Sequence, residues 1–157
     1  MAIPCRGGTT YCVCVQPAPD RPSAKTSSRM RSVRRSDTGA ELAVRRELFA
    51  RGRRYRIDLS PVRGMRSRAD IVFTKHRLAV YIDGCFWHKC PLHASLPRSN
   101  SAWWAEKLAA NETRDRRVDR ELAAAGWRVL RAWEHEPPVD VADRIDAELS
   151  RSVGPVF

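Results

Sequence analysis

The stretch RADIVFTKHRLAVYIDG, residues 68–84, decides the fold. Ala69 to Phe73 and Arg77 to Asp83 are two β-prone runs separated by Thr74-Lys75-His76, a pattern that predicts a hairpin. With the turn centred on Thr74 to His76, Asp70 lies across from about Tyr81, and Asp83 follows two residues later on the same face. Opposed residues in such a pair sit about 4.5–5.5 Å apart and diagonal ones about 7–8 Å. A hard divalent cation fits between two carboxylates so placed, since Mg²⁺ takes one or two of them and completes its shell with water and phosphate oxygens. Each Asp also has a purely structural reading as a strand-end or turn residue. That reading is strongest for Asp83, because Asp-Gly is a common turn dipeptide.

Outward from the hairpin, the chain reads as one domain. Thr38-Gly39-Ala40-Glu41 has capping-box form and opens a helix that runs to Gly52. Residues 54–59 form a first strand. Residues 84–101 form a loop holding Cys and His, and a long helix over about 102–125 stops at Gly126. Trp127 to Trp133 is a further strand, and a short helix follows Pro137-Pro138. The order α, β, β, β, loop, α, β, α predicts a mixed α/β domain with a small central sheet. Residues 1–37 carry no sustained periodicity and hold seven basic against two acidic side chains, so they read as a disordered basic arm. Met30 within that arm is a candidate alternative start.

Composition narrows the partner. Among 157 residues, 29 Lys and Arg face 18 Asp and Glu, a formal charge of +11 and a pI near 10.3. Such a surplus favours a polyanion, because neutralising phosphates releases condensed counterions; a plain compositional bias toward Arg is the other reading. No apolar run approaches the roughly 18 residues needed to span a bilayer, and the N-terminus lacks the order of a secretory signal. A cytoplasmic protein follows, in which clustered cysteines indicate metal more often than disulfides.

The long helix carries the stripe Trp104, Leu108, Asn111, Asp115, Val118, Leu122, in which Asn111 and Asp115 interrupt the core-facing side. A polar pair there needs partners, since burying an unpaired charge is costly. Asp115 either pairs with Arg114, Arg116 or Arg117, or orients a catalytic histidine. The candidate is His88, which closes the run Asp83-Gly84-Cys85-Phe86-Trp87-His88 and has a pKa suited to acid–base work at a phosphodiester. His88 also reads as a zinc ligand or an exposed loop residue. Cys85, Cys90 and His93 suggest a structural tetrahedral zinc with His135 as fourth ligand and His88 as its rival, while buried reduced cysteines are the alternative. Trp127 and Trp133 read as core. Phe86-Trp87 and Trp103-Trp104, flanking a polar loop in a basic protein, suit stacking on bases or wedging between them.

These residues together resemble the very short patch repair (Vsr-type) DNA mismatch endonucleases, a branch of the restriction-endonuclease-like PD-(D/E)xK nucleases. The matching segments are Thr38 to Leu42, Arg68 to Val72, Asp83 to His88, Asn111 to Arg117, and Gly126 to Leu130 with Trp133-Glu134-His135. The resemblance implies a restriction-endonuclease-like mixed sheet flanked by helices, and a single endonuclease domain over residues 38–157. It implies Mg²⁺ held by Asp70 and the backbone carbonyl of Ile82, His88 as the catalytic histidine, and Asp115 as its acidic support. Glu41 matches a glutamate facing the metal waters, a role that competes with its place in the capping box. Phe86, Trp87 and Trp104 match rings that intercalate beside the mismatch, and the basic arm matches a segment that orders on DNA.

Two departures stand out. Asp83 occupies a position where histidine is the familiar residue, which implies that Asp83 binds metal directly. His135 stands for the family's fourth cysteine, with Cys90 and His93 as the middle zinc ligands. The implied activity is nicking of double-stranded DNA 5′ to the thymine of a T·G mismatch, by a monomer in the cytoplasm at the nucleoid, with other mismatch-repair proteins as further partners. The alternatives are a restriction-like or defence nuclease without mismatch preference, and a non-catalytic zinc-stabilised DNA-binding module.

Overall fold

The computed structural model describes residues 36–93 and 95–151, so nearly all of the expected basic arm lies outside the described residues. Helix α1 spans Gly39–Ala50, strand β1 Arg56–Leu59, β2 Ala69–Phe73, β3 Leu78–Asp83, helix α2 Ser101–Ala124, strand β4 Arg128–Trp133 and helix α3 Pro138–Ser150. The four strands form one sheet in the order β1-β2-β3-β4. The first two pairings are antiparallel, whereas β3 and β4 run parallel. A parallel neighbour requires a long crossover, and the segment from Gly84 to Trp127, containing the Cys/His loop and α2, supplies it. The mixed α/β order read from the sequence is thus the order observed.

Both faces of β2 and β3 are covered, which explains why these strands read as nearly continuous apolar runs. On one face Ile71, Phe73, Leu78 and Val80 pack with Val44 and Leu48 of α1 and Val141, Ala142 and Ile145 of α3. On the other, Val72, Ala79 and Tyr81 pack with Val118 and Leu122 of α2. Leu48, Ile71, Leu78, Leu122 and Ile145 are fully buried, and each such side chain contributes about 1.5–3 kcal/mol relative to exposure. The alternation slips at Asp70: Ala69 joins the cluster of Val72, although strict alternation would put it on the face of Ile71 and Phe73. In the register with β1, Asp70 lies opposite Asp58, which has φ 45°.

The helix ends follow local chemistry. The Thr38 side chain accepts a hydrogen bond from the Glu41 N–H, capping α1. Gly52 just beyond its end has φ 71°, a conformation glycine adopts without a Cβ clash. Strand β1 begins at Arg56 and not at 54; just before it, Tyr55 lays its ring 6.0 Å from Phe73 and its hydroxyl donates to the Arg45 carbonyl at 2.9 Å. Among the described residues no helix is long and apolar enough to cross a membrane.

Candidate active site and metal centre

The β2–β3 ladder stops at the pair Ile71 and Val80, one step short of Asp70. There the Asp70 carboxylate takes over the role of a ladder carbonyl and accepts the Ile82 N–H at 2.7 Å. Burial pushes the Asp70 carboxyl up to about 6 despite that bond and the nearby Arg45, and the charges of Glu41 and Asp83 push in the same direction. Desolvated negative charge among other carboxylates fits the donor set of a hard divalent cation. The contact made to Asp70 by Ile82 is through its N–H.

At the C-terminal end of β3, His88 and Asp115 meet. His88 Nδ1 lies 2.6 Å from Asp115 Oδ2 and 3.6 Å from Asp83 Oδ1. The segment from Gly84 to Cys90 delivers the histidine: the His88 N–H donates to the Gly84 carbonyl and the Cys90 N–H to the Cys85 carbonyl. Helix α2 delivers Asp115 from the stripe that also buries Leu108, Val118 and Leu122. Asn111, one turn earlier, donates from Nδ2 to the Trp87 carbonyl at 3.2 Å and ties the same loop to α2. The two polar interruptions of the stripe are therefore both spent on the loop. Asp115 also meets an arginine, Arg114, at 3.4 Å through its other oxygen. A cavity of about 200 Å³ opens here, lined by Asp83, His88, Asp115, Asp119 and Arg131 among others.

Asp83 is 7% exposed, and both of its oxygens accept from Arg131 Nη1, at 2.9 and 3.0 Å. Its charge is already countered, which weighs against the direct metal ligation expected from the sequence. Sequence reasoning missed Arg131. It pairs with Tyr81 across β3 and β4 and shares the face of β4 that carries Val129 toward α2, placements that only the assembled sheet shows.

Glu41 is buried and fully engaged. Its carboxylate accepts from the Thr38 hydroxyl at 3.0 Å, the Asp37 N–H at 2.9 Å and Arg45 Nη2 at 2.9 Å. The Thr38 cap expected from the sequence is present, but Glu41 reaches back to the Asp37 N–H and the Thr38 hydroxyl instead of closing the box on the Thr38 N–H, and it also adds its charge to the surroundings of Asp70.

Cys85, Cys90, His93 and His135 converge, with all four ligand atoms within 4.8 Å of one another. Cys85 Sγ lies 3.0 Å from His135 Nδ1 and 3.8 Å from His93 Nδ1, and Cys90 Sγ lies 3.7 Å from each. Bonds of about 2.0–2.3 Å to a tetrahedral zinc place ligand atoms about 3.3–3.8 Å apart, so the donor set and spacing fit that ion. Burial, with Cys90 and Glu134 alongside, raises the Cys85 thiol to about 11. His88 is outside this group. Glu134 anchors the loop to the end of β4 by accepting the Cys85 N–H at 2.7 Å.

The rings of Phe86, Trp87 and Trp104 pack edge-on or tilted, with centroids 5.1–6.0 Å apart, and Trp103 stands 4.8 Å from Trp104 at 41% exposure. None of the four belongs to either core cluster. They form a separate aromatic group beside His88 and the Cys/His cluster.

The family model of the DNA mismatch endonuclease Vsr matches residues 21–93. The type II nicking enzyme V.NaeI of Lentzea aerocolonigenes is 50% identical over 116 residues, 73% of this chain and 70% of that protein. The type II nicking enzyme V.XorIIP of Xanthomonas oryzae pv. oryzae is 40% identical over 109 residues, 68% of this chain and 77% of that one. DNA mismatch endonuclease Vsr of Escherichia coli is 34% identical over 113 residues, 71% of this chain and 70% of that one. Fold, site and relatives together define a DNA endonuclease, a hydrolase of phosphodiester bonds. The chain belongs to the Vsr family of DNA mismatch endonucleases.

Proposed function

We propose that the protein nicks one strand of double-stranded DNA 5′ to the thymine of a T·G mismatch, initiating very short patch repair of deaminated 5-methylcytosine. The observation that carries this reading is the 2.6 Å contact between His88 and Asp115 at the end of the strand that bonds Asp70. A histidine held by a carboxylate, with a desolvated carboxylate bonded to the strand that leads into its loop, is the equipment of phosphodiester hydrolysis. The mismatch preference rests on the family and on the relative named a DNA mismatch endonuclease.

Asp70 would hold Mg²⁺, with the backbone carbonyl of Ile82 as second ligand. When bound, that ion polarises the scissile phosphate and offsets the charge that builds in displacement. His88 keeps Nδ1 on Asp115, which leaves Nε2 to take a proton from the attacking water or give one to the departing oxygen. Asp83, paired with Arg131, holds the neighbouring charge in place. Glu41 braces Arg45 and the start of α1 and adds its field at Asp70. Cys85, Cys90, His93 and His135 would hold a structural Zn²⁺ that fixes the loop carrying His88. Phe86, Trp87 and Trp104 enter the base stack, where a wobble pair yields more cheaply than a matched one. The fold is assigned to the restriction-endonuclease-like class, as one domain from residue 38 preceded by a basic arm that orders on DNA. The protein acts as a monomer in the cytoplasm, at the nucleoid.

The test is a nicking assay with Mg²⁺ on a labelled duplex holding one T·G pair, beside its T·A control. A nick 5′ to the thymine in the T·G duplex alone, lost with EDTA and in His88→Ala, is the expected result. Equal cutting of both duplexes overturns the mismatch reading and leaves a restriction-like nuclease. Tight binding without any cutting leaves a DNA-binding module.

A further inference from the structure

Two carboxylates lie within reach of one nitrogen of His88, and only one can own its proton. Asp115 Oδ2 stands 2.6 Å from Nδ1 and Asp83 Oδ1 stands 3.6 Å from it. What separates them is Arg131. Its Nη1 donates to both oxygens of Asp83 at 2.9 and 3.0 Å, while Nε and Nη2 grip Asp119 at 3.0–3.1 Å. The guanidinium carbon lies 4.7 Å from the centre of the Tyr81 ring, and Nη2 is 4.0 Å from Asp115 Oδ1. One planar fork thus touches three acidic residues around a single histidine, anchored on β4 directly beside the strand that bears Asp83.

We propose that Arg131 is a positioning residue for the hydrolysis: by occupying the Asp83 carboxylate, it leaves Asp115 as the sole partner of His88 Nδ1 and so fixes the direction in which the catalytic imidazole faces. A nearly buried Asp83 without Arg131 is an uncompensated charge, and the nearest donor able to satisfy it is His88. The imidazole then swings from Asp115 toward Asp83, and Nε2 leaves its working position. A lysine offers one compact ammonium where Arg131 offers a fork, so it serves Asp83 or Asp119 but not both. The inference rests on the reading of His88 as the catalytic histidine.

The experiment is a double-mutant cycle on the single-turnover nicking rate at saturating DNA, with DNA affinity measured in parallel. Arg131→Gln lowers the rate by about tenfold or more while affinity stays within about twofold. In the Asp83→Asn background, where no charge is left to compensate, the same Arg131→Gln change costs less than about threefold. In the Asp119→Asn background it keeps its full cost. A penalty that persists with Asp83→Asn but vanishes with Asp119→Asn makes Arg131 a brace between α2 and β4 and overturns the proposal. So does an Arg131→Gln enzyme of normal rate when His88→Ala is inactive. An active His88→Ala enzyme overturns instead the catalytic reading of the site. If Arg131→Gln is recovered unfolded, Arg131→Met, which keeps the apolar stem and removes the charge, runs through the same cycle with the same pattern expected.

Discussion

His88 Nδ1 and Asp115 Oδ2 stand 2.6 Å apart although 27 residues separate them, one on a loop and one on a helix. The bond fixes which face of the imidazole is free. We therefore expect His88→Ala to lower the nicking rate by about 10²–10⁴-fold, the usual contribution of a positioned acid or base. Asp115→Asn keeps a hydrogen-bond partner but not the charge, and its loss is smaller, about 10–100-fold. Single-turnover rates on a T·G duplex measure both. Equal, full activity in Asp115→Asn overturns the assignment of the pair.

Asp70 gives a prediction in the opposite direction for stability. Its folded pKa, about 6, lies above the ordinary 3.8, so the folded protein prefers the protonated form. The contribution to stability is fully present below about pH 4 and is lost as pH rises through 6, at most about 3 kcal/mol in all. Without divalent ions, Asp70→Asn should raise Tm at pH 7.5 relative to the native protein, with little gain at pH 4. The same substitution abolishes nicking. Mg²⁺ should raise the Tm of the native protein at pH 7.5 and leave that of Asp70→Asn unmoved. Thermal melts at the two pH values, with and without Mg²⁺, decide the matter.

The Cys85, Cys90, His93 and His135 cluster predicts about one zinc per chain, measurable by elemental analysis of the purified protein. Cys90→Ser removes a fully buried ligand and should cost on the order of 3–5 kcal/mol in denaturant unfolding, with loss of the metal. A metal-free native protein with unchanged stability in chelator contradicts the structural role.

The aromatic group lies outside both cores, so its loss should spare the fold and damage recognition. Trp104→Ala is expected to weaken binding to the mismatched duplex by about 1–3 kcal/mol with little change in Tm. The ratio of T·G to T·A affinity should shrink with it. A fall in both affinities by the same factor makes the ring a general contact and not a reader of the mismatch.

Much of this molecule was written locally, and the element order, the hairpin around Thr74 to His76 and the Thr38 cap were all legible. So were Asp70, His88, Asp115 and the four Cys/His residues as candidates, because each is a polar group where the pattern calls for an apolar or loop residue. Periodicities of two and 3.6 and capping chemistry act over a few residues, and such signals survive in one dimension. What they cannot carry is which polar groups meet. Whether His88 or His135 joins the two cysteines, and whether Asp83 faces an arginine, depends on β3 and β4 running parallel. That pairing is set by packing the crossover helix against the sheet, a contact between residues some 40 positions apart in the chain. Arg131 was invisible for the same reason. Its neighbours Asp83 and Asp119 lie 48 and 12 residues away, and only the packing of α2 on the assembled sheet makes one guanidinium the partner of both.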